Sequence, residues 1–457
     1  MNFNQINKVY FIGVGGIGMS ALARYFQSQG KEVSGYDKTE TVLTKQLVEE
    51  GITVHYEDRG KAVVDEFGRF DSLIIYTPAI PSEMKELLAF QEYDYTLIKR
   101  AKALGIISDE FETFAVAGTH GKTTTSTILA HVLNCTDKKV NAFIGGIASN
   151  YNSNCIINPE STRVVVEADE FDRSFLELQP NYSIITSIDA DHLDIYGDGD
   201  QLKKSFNDFI NLSKAYGVLM INSKIDLSGF DISTSLRINT YGVDDRPDWR
   251  LHALRYTDGK FFFDIISHSK IFRNIEFGLP GQHNAENATA VFALCFELGI
   301  AEENIREGFK TFKGVKRRFD FKVRTEKIVV IDDYAHHPTE IDAFLRSVKK
   351  LYPQKKITAV FQPHLFSRTR DFMDDFAVSL ALADELYLLP IYPAREEPIE
   401  GITSDVLLEE INMYDKQLSS LSTIVHDLSQ SEHEVVCILG AGDIDTVVDA
   451  IAKHYSE

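Results

Sequence analysis

Positive charge is scarce in this chain: 47 Lys and Arg stand against 68 Asp and Glu, a formal net charge of −21 over 457 residues. A nucleic-acid groove or an anionic-membrane patch needs clustered basic residues, so neither partner is expected and the acidity serves solubility. Cysteine is scarce too. Cys135, Cys155, Cys295 and Cys437 lie far apart and form no C-x-x-C pair, which excludes a zinc knuckle or a disulfide framework and leaves reduced thiols. Long apolar runs are missing: nowhere do about 18 apolar residues follow one another, the length a bilayer-crossing helix needs. The opening MNFNQINKVYFIG lacks the basic start, apolar stretch and cleavage site of a secretory leader. A soluble, cytoplasmic protein is expected, a monomer or weak homodimer.

What is present is glycine at telling positions. Phe114 to Thr125 reads FAVAGTHGKTTT: an apolar strand, then Gly118, Thr119, His120, Gly121, Lys122, Thr123 and Thr124, then Ile128, Leu129, Val132 and Leu133 at helical spacing. Such a strand, glycine loop and helix presents backbone N–H groups to an anion. Lys122 can reach the β/γ-phosphates and the Thr123 hydroxyl can coordinate Mg²⁺, so ATP or GTP is the expected ligand. The longer phosphate-loop pattern wants a further glycine where this chain has Val116, and the match is to the shorter G-x-x-G-K-T. A glycine turn before an ordinary helix is the alternative.

A second glycine cluster opens the chain. Lys8 to Gly18 reads KVYFIGVGGIG, with Gly13, Gly15, Gly16 and Gly18 between a short strand and an Ala/Leu helix that ends at Gly30; a strand over Glu32 to Tyr36 then delivers Asp37. This is the dinucleotide fingerprint in its strand, turn and helix setting. Its glycines admit a diphosphate and Asp37 can accept from a hydroxyl, which suits a nucleotide sugar, NAD, or no ligand at all. Further strands are expected at Asp71–Tyr76, closed by Thr77, and weakly near Gly105–Ile107.

Beyond the phosphate loop, Arg163 to Val166 forms a β-branched strand that delivers Glu167, Asp169, Glu170 and Asp172. Tyr182 to Ile188 forms another, delivering Asp189, Asp191, His192 and Asp194. One such cluster is ordinarily solvated loop or helix cap. Two beside a phosphate loop are the hard oxygen donors Mg²⁺ requires, with His192 available to complete the shell of a second ion.

The sequence FGLPGQHNAENATA then places Asn284 ahead of an apolar helix, a common N-cap arrangement. Gly308 to Phe319 is a basic, turn-rich link and marks a boundary. From Lys327 strands and helices alternate: IVVIDDYAHHP, a helix over Ile341–Leu351, a strand over Ile357–Phe361, the motif QPHLFSRTRDF, and strands at Glu385–Leu389 and Val435–Leu439. Alternation implies a parallel, doubly wound sheet. Asp332, Asp333 and His336 follow its first strand; Arg368 and Arg370 follow its second and suit a carboxylate.

At about 150 residues per domain the length allows roughly three. Taken together, GTHGKTTT, EADEFDRSF, DADHLD, GQHNAENATA, GVKRRFD, DDYAHHPTEI, QPHLFSRTRDF and GAGDI resemble, in order and spacing across the whole chain, the Mur ligase family of ATP-dependent amino-acid ligases in peptidoglycan synthesis. The resemblance implies an α/β protein of three domains: an N-terminal Rossmann-like domain (1–109) for the UDP end of the substrate, a central P-loop ATPase-type mixed sheet (110–313), and a C-terminal Rossmann-like domain (314–457) for the amino acid. It implies ligation of L-alanine to the lactyl carboxylate of UDP-N-acetylmuramate, with a sister ligase adding a peptide or another amino acid as the alternative and an NAD-linked oxidoreductase as the alternative from another class. By similarity, Lys122, Glu167 and His192 would be catalytic. Thr123, Glu167 and His192 would hold Mg²⁺; Asn284, Arg317, Arg318, Asp332 and Asp333 would touch ATP. Gly13, Gly15, Gly16, Gly18, Asp37 and Thr77 would hold the UDP substrate, and His336, Arg368 and Arg370 would hold the amino acid. Some relatives carry Arg where this chain has Leu365.

Overall fold

The structure is a computed structural model and describes residues 3–189, 196, 199–233, 235–244, 246–257, 260–394 and 396–456. It is an α/β protein that divides into two compact units. The first comprises Met1–Ala253, Phe263–Glu276 and Glu286–Phe312; the second comprises Leu254–Phe262, Phe277–Ala285 and Lys313–Glu457.

The first unit opens with β1 (Lys8–Ile12), β2 (Glu32–Tyr36), β3 (Thr53–His55), β4 (Ser72–Tyr76) and β5 (Thr96–Lys99), a parallel sheet in the order β3-β2-β1-β4-β5. Ile12 stands opposite both Tyr36 and Tyr76, so the strand order reverses at the carboxyl end of β1, where open α/β sheets bind ligands. The glycine turn lies there. The helix that follows it, Ile17–Ser28, is buried along its length through Met19, Leu22 and Phe26. It also carries Tyr25 against Phe143, ring centroids 5.5 Å apart, and Arg24, which grips Glu50 through two hydrogen bonds and donates to Asn154.

The weak strand expected near Gly105–Ile107 is instead the middle of a helix, Arg100–Asp109. Ala103, Leu104 and Ile107 are buried at helical spacing. Gly105 is tolerated there because a Cβ would lie 2.4 Å from the Glu177 carbonyl oxygen: the glycine admits a neighbouring segment.

The second sheet comprises β6 (Glu112–Ala117), β7 (Asn141–Ala148), β8 (Ser153–Ile156), β9 (Arg163–Glu167), β10 (Tyr182–Ile185), β11 (Val218–Asn222), β12 (Arg237–Gly242), β13 (Trp249–Thr257), β14 (Lys260–Ser267) and β15 (Ile271–Phe277). Its order is β15-β14-β13-β12-β11-β10-β6-β9-β7-β8. It is mixed, since β8 runs antiparallel to β7 while β6 pairs in parallel with β9 and β10. Ala117 faces Ile185 and Val116 faces Glu167, so the loops leaving β6, β9 and β10 emerge side by side. That register gathers the first candidate site.

In the second unit β16 (Asp320–Arg324), β17 (Val329–Asp333), β18 (Ile357–Phe361), β19 (Glu385–Leu388), β20 (Lys416–Leu418) and β21 (Val435–Leu439) make a sheet in the order β16-β17-β21-β18-β19-β20. It is parallel except for β16, which is antiparallel to β17. The link expected over Gly308–Phe319 is partly helical: the helix Glu302–Thr311 takes its first residues, and the turn proper follows, with Gly314, Arg317 and Phe319 at positive φ. No helix among the described residues is long and apolar enough to cross a membrane.

Candidate functional site

The phosphate loop is shaped by its own backbone chemistry. Gly118 has φ +137°, and a Cβ there would sit 2.0 Å from Thr186 Oγ1; Gly121, at φ +80°, is the N-cap of the helix Lys122–Asn134. Both conformations favour glycine. The loop is braced from β10: Thr186 Oγ1 donates to the His120 carbonyl at 2.5 Å, Ser187 Oγ accepts from the His120 N–H at 2.9 Å, and the Ser187 carbonyl accepts from the Thr119 N–H at 3.2 Å. β10 accordingly ends at Ile185 rather than Ile188, and the bracing by Thr186 and Ser187 is a feature that sequence reading passed over.

Three groups converge behind the loop. Thr123 Oγ1 donates to Glu167 Oε1 at 2.9 Å, and Glu167 Oε2 accepts from the Gly145 N–H at 2.7 Å. Burial pushes the Glu167 carboxyl above its ordinary value against the pull of Lys122 and of those two donors. Lys122 Nζ donates to Gly118 O at 2.7 Å and pairs with Glu170 Oε1 at 2.8 Å. Burial works against the Lys122 ammonium, yet Glu170, Asp169 and Glu167 outweigh it and hold its pKa above the ordinary lysine value. Asp172 lies further out, near Lys99 at 3.8 Å. Among the described residues no group of three His, Cys, Asp or Glu could by itself hold a metal ion. His192, with Asp191 and Asp194, lies outside the described residues.

At the first sheet, the Gly13 and Val14 N–H groups donate to the Tyr36 carbonyl, and Asp37 Oδ2 accepts from the Gly15 N–H at 2.8 Å. Asp37 also takes the Thr39 N–H at 3.2 Å. The carboxylate read as a hydroxyl acceptor thus braces the glycine turn. Gly16 is the helix N-cap and supplies no side-chain cap, and a Cβ on Gly13 would meet Thr77 Cγ2 at 2.8 Å. Gly18 leaves room for Arg100, whose Nη1 would be 2.8 Å from an added Cβ; its Nη2 lies 3.5 Å from Asp169 Oδ2.

The second unit holds a separate cluster. Asp333 is spent on backbone, accepting from Phe319 N–H at 2.7 Å and Ala335 N–H at 2.8 Å, and burial raises it to about 7 against Arg318. Burial raises Asp332 to about 6 against Arg317, whose Nε lies 3.6 Å away; Asp332 Oδ1 is buried without a hydrogen-bond partner. Of the two, Asp332 is therefore the better placed to accept from a ligand. Arg317 and Arg318 both lie over the Tyr334 ring, at 5.2 and 4.9 Å. His336 Nδ1 lies 3.0 Å from the Tyr334 carbonyl, and burial pushes its pKa down to about 3.

Two expectations are corrected here. Asn284 does not cap a helix: the helix already starts at Gln282, and Asn284 Nδ2 donates back to the Pro280 carbonyl at 2.6 Å. The two arginines expected to follow the second strand and suit a carboxylate, Arg368 and Arg370, do not share one face either. In the helix Phe366–Asp371, Arg368 is buried while Arg370 is exposed and paired with Asp371 at 2.7 Å, because residues two apart on a helix face opposite ways. Leu365 precedes that helix at φ +73°, its N–H donating to the Tyr392 carbonyl at 2.9 Å.

Residues 8–112 match the family model described as Mur ligase family, catalytic domain; 116–295 match the Mur ligase middle domain and 317–444 the Mur ligase, glutamate ligase domain. The chain is 48% identical over 457 residues, all of both chains, to a Flavobacterium psychrophilum protein named UDP-N-acetylmuramate--L-alanine ligase. It is 46% identical, again over both full lengths, to the protein of that name from Flavobacterium johnsoniae. Among solved structures it resembles a UDP-N-acetylmuramate-alanine ligase from Thermotoga maritima at TM-score 0.83 and 29% identity, covering 98% of this chain and 99% of that one.

Proposed function

The chain belongs to the Mur ligase family, and from that premise we infer that it is an ATP-dependent ligase joining the amine of L-alanine to the lactyl carboxylate of UDP-N-acetylmuramate. The observation that carries the reading is the loop over Gly118–Thr123 with Lys122 and Glu167 at its base, in a chain alike from end to end to relatives that bear that activity in their names. The step belongs to peptidoglycan precursor synthesis, which we place in the cytoplasm, and we divide the chain at 109/110 and 313/314.

The chemistry supported is carboxylate activation. The lactyl carboxylate attacks the γ-phosphate of ATP, ADP leaves, and the alanine amine attacks the acyl phosphate and expels phosphate. The loop N–H groups and Lys122 offset the charge that develops on the transferring group. Thr123 Oγ1 and Glu167, hard oxygen donors already hydrogen-bonded to one another, fit Mg²⁺, and His192 is assigned to the same ion on resemblance alone. Bound there, Mg²⁺ would neutralise phosphate charge and orient the transferring group. The glycine turn at Gly13–Gly18, braced by Asp37, holds the UDP diphosphate. Asn284, Arg317, Arg318 and Asp332 serve the nucleotide, and His336 and Arg368 serve L-alanine. Arg370, which the resemblance also assigns to L-alanine, is turned outward and paired with Asp371.

Phosphate release from ATP and Mg²⁺, measured with UDP-N-acetylmuramate and each amino acid singly, tests the reading. Release that needs the nucleotide sugar and is strongest with L-alanine is expected. Preference for a peptide or another amino acid moves the protein to a sister activity, and no release with any acceptor overturns the reading.

A further inference from the structure

Glu170, read from the sequence only as one of several acidic residues suited to Mg²⁺, has its side chain wholly removed from solvent at the base of the phosphate loop. A buried carboxylate persists only where a cation or donors offset its lost hydration, and here Lys122 Nζ lies 2.8 Å from Oε1. The backbone around Glu170 is held independently of that lysine. Its carbonyl accepts from Tyr196 Oη at 2.5 Å and from the Arg173 N–H at 2.9 Å, and the following turn is fixed by Asp172 and Arg173 at φ +53° and +55°. Lys122 hangs on a flexible four-carbon stem. The rigid partner therefore sets where the flexible one sits, and the remaining Nζ contacts are loop carbonyls, Gly118 O at 2.7 Å and Thr119 O at 3.4 Å.

We propose that Glu170 is a positioning residue for phosphoryl transfer: it docks Lys122 in the free enzyme, and it holds the ammonium from behind when a phosphate oxygen replaces a loop carbonyl as its acceptor. The proposal rests on the reading of the loop as an ATP site. Its consequence is a split in the kinetics. Removing the Glu170 charge unties Lys122, which lowers turnover, and also removes a negative charge near the triphosphate, which leaves ground-state ATP binding unchanged or tighter.

The test combines Glu170→Gln, Lys122→Ala and the double variant, each assayed for kcat, KM for ATP and Tm. Glu170→Gln is expected to lower kcat by about tenfold or more with no rise in KM for ATP, a loss in the range of one misplaced electrostatic group. Lys122→Ala should melt below the wild type because it takes the cation away from a buried carboxylate, and adding Glu170→Gln should raise that Tm again. The double variant should turn over no more slowly than Lys122→Ala alone. Wild-type kcat in Glu170→Gln, or a Tm that falls further in the double variant, overturns the proposal. An inactive wild type would instead speak against the ligase reading, and the melting cycle would still report on the pair.

Discussion

Thr123 and Glu167 are joined across two strands of the central sheet: the hydroxyl at the head of the phosphate-loop helix donates to the carboxylate at the end of β9 at 2.9 Å. Two oxygen donors that far apart can share one small cation with little movement of backbone. Thr123→Val keeps the shape of the side chain and deletes one donor. The Mg²⁺ concentration for half-maximal phosphate release should rise by about tenfold or more, with Tm little changed. A Mg²⁺ titration identical to that of the wild type would remove Thr123 from the metal site.

Gly145 controls the same carboxylate from the other side. Its N–H donates to Glu167 Oε2, and a Cβ there would lie within 2.4–2.6 Å of the Glu167 carboxylate atoms. Gly145→Ala must push the carboxylate away, and since that is the free end of a side chain, the fold should tolerate it. We expect kcat/KM to fall by at least about tenfold while the melting curve stays close to the wild type. Unchanged turnover would mean that the position of Glu167 is immaterial.

At the nucleotide-sugar end, Asp37→Ala removes the acceptor of the Gly15 and Thr39 N–H groups. Losing a hydrogen bond to a charged group costs about 1.5–3 kcal/mol, here spent on keeping the glycine turn in its binding shape. KM for UDP-N-acetylmuramate should rise by roughly tenfold or more, with KM for ATP and L-alanine unmoved. A rise confined to ATP would place Asp37 elsewhere in the reaction.

These residues also show where sequence was informative. β2, β18 and β21 have the bounds expected for them, because each stops at a turn residue or at the polar residue that follows it. Gly105–Ile107 misleads because a short apolar run reads alike in strand and helix, and the close approach of Glu177 that explains Gly105 is a contact between distant parts of the chain. Gly145 was unreadable for the same reason, and so was the pairing of Glu170 with Lys122: each contact joins residues more than twenty positions apart. The opposite exposure of Arg368 and Arg370, by contrast, follows from their spacing once the segment is known to be helical.

His131 supplies a pH test outside the site. It is buried, with Nδ1 3.0 Å from Tyr151 Oη and Nε2 3.0 Å from Thr311 Oγ1, and burial lowers its pKa to about 4. The unfolded chain binds this proton near the ordinary histidine value, about 6.5, whereas the folded protein refuses it until about pH 4. The stability it contributes is therefore present above pH 6.5 and lost as the pH falls from 6.5 toward 4, at up to about 1.4 kcal/mol per pH unit. His131→Gln keeps a donor and an acceptor but does not titrate. Between pH 6.5 and 5 the wild type should lose roughly 1.5 kcal/mol more unfolding free energy than the variant, read from urea midpoints at each pH. Parallel pH dependences would show that folded His131 takes up its proton as readily as the unfolded chain does, and that its place between Tyr151 and Thr311 does not exclude the charge.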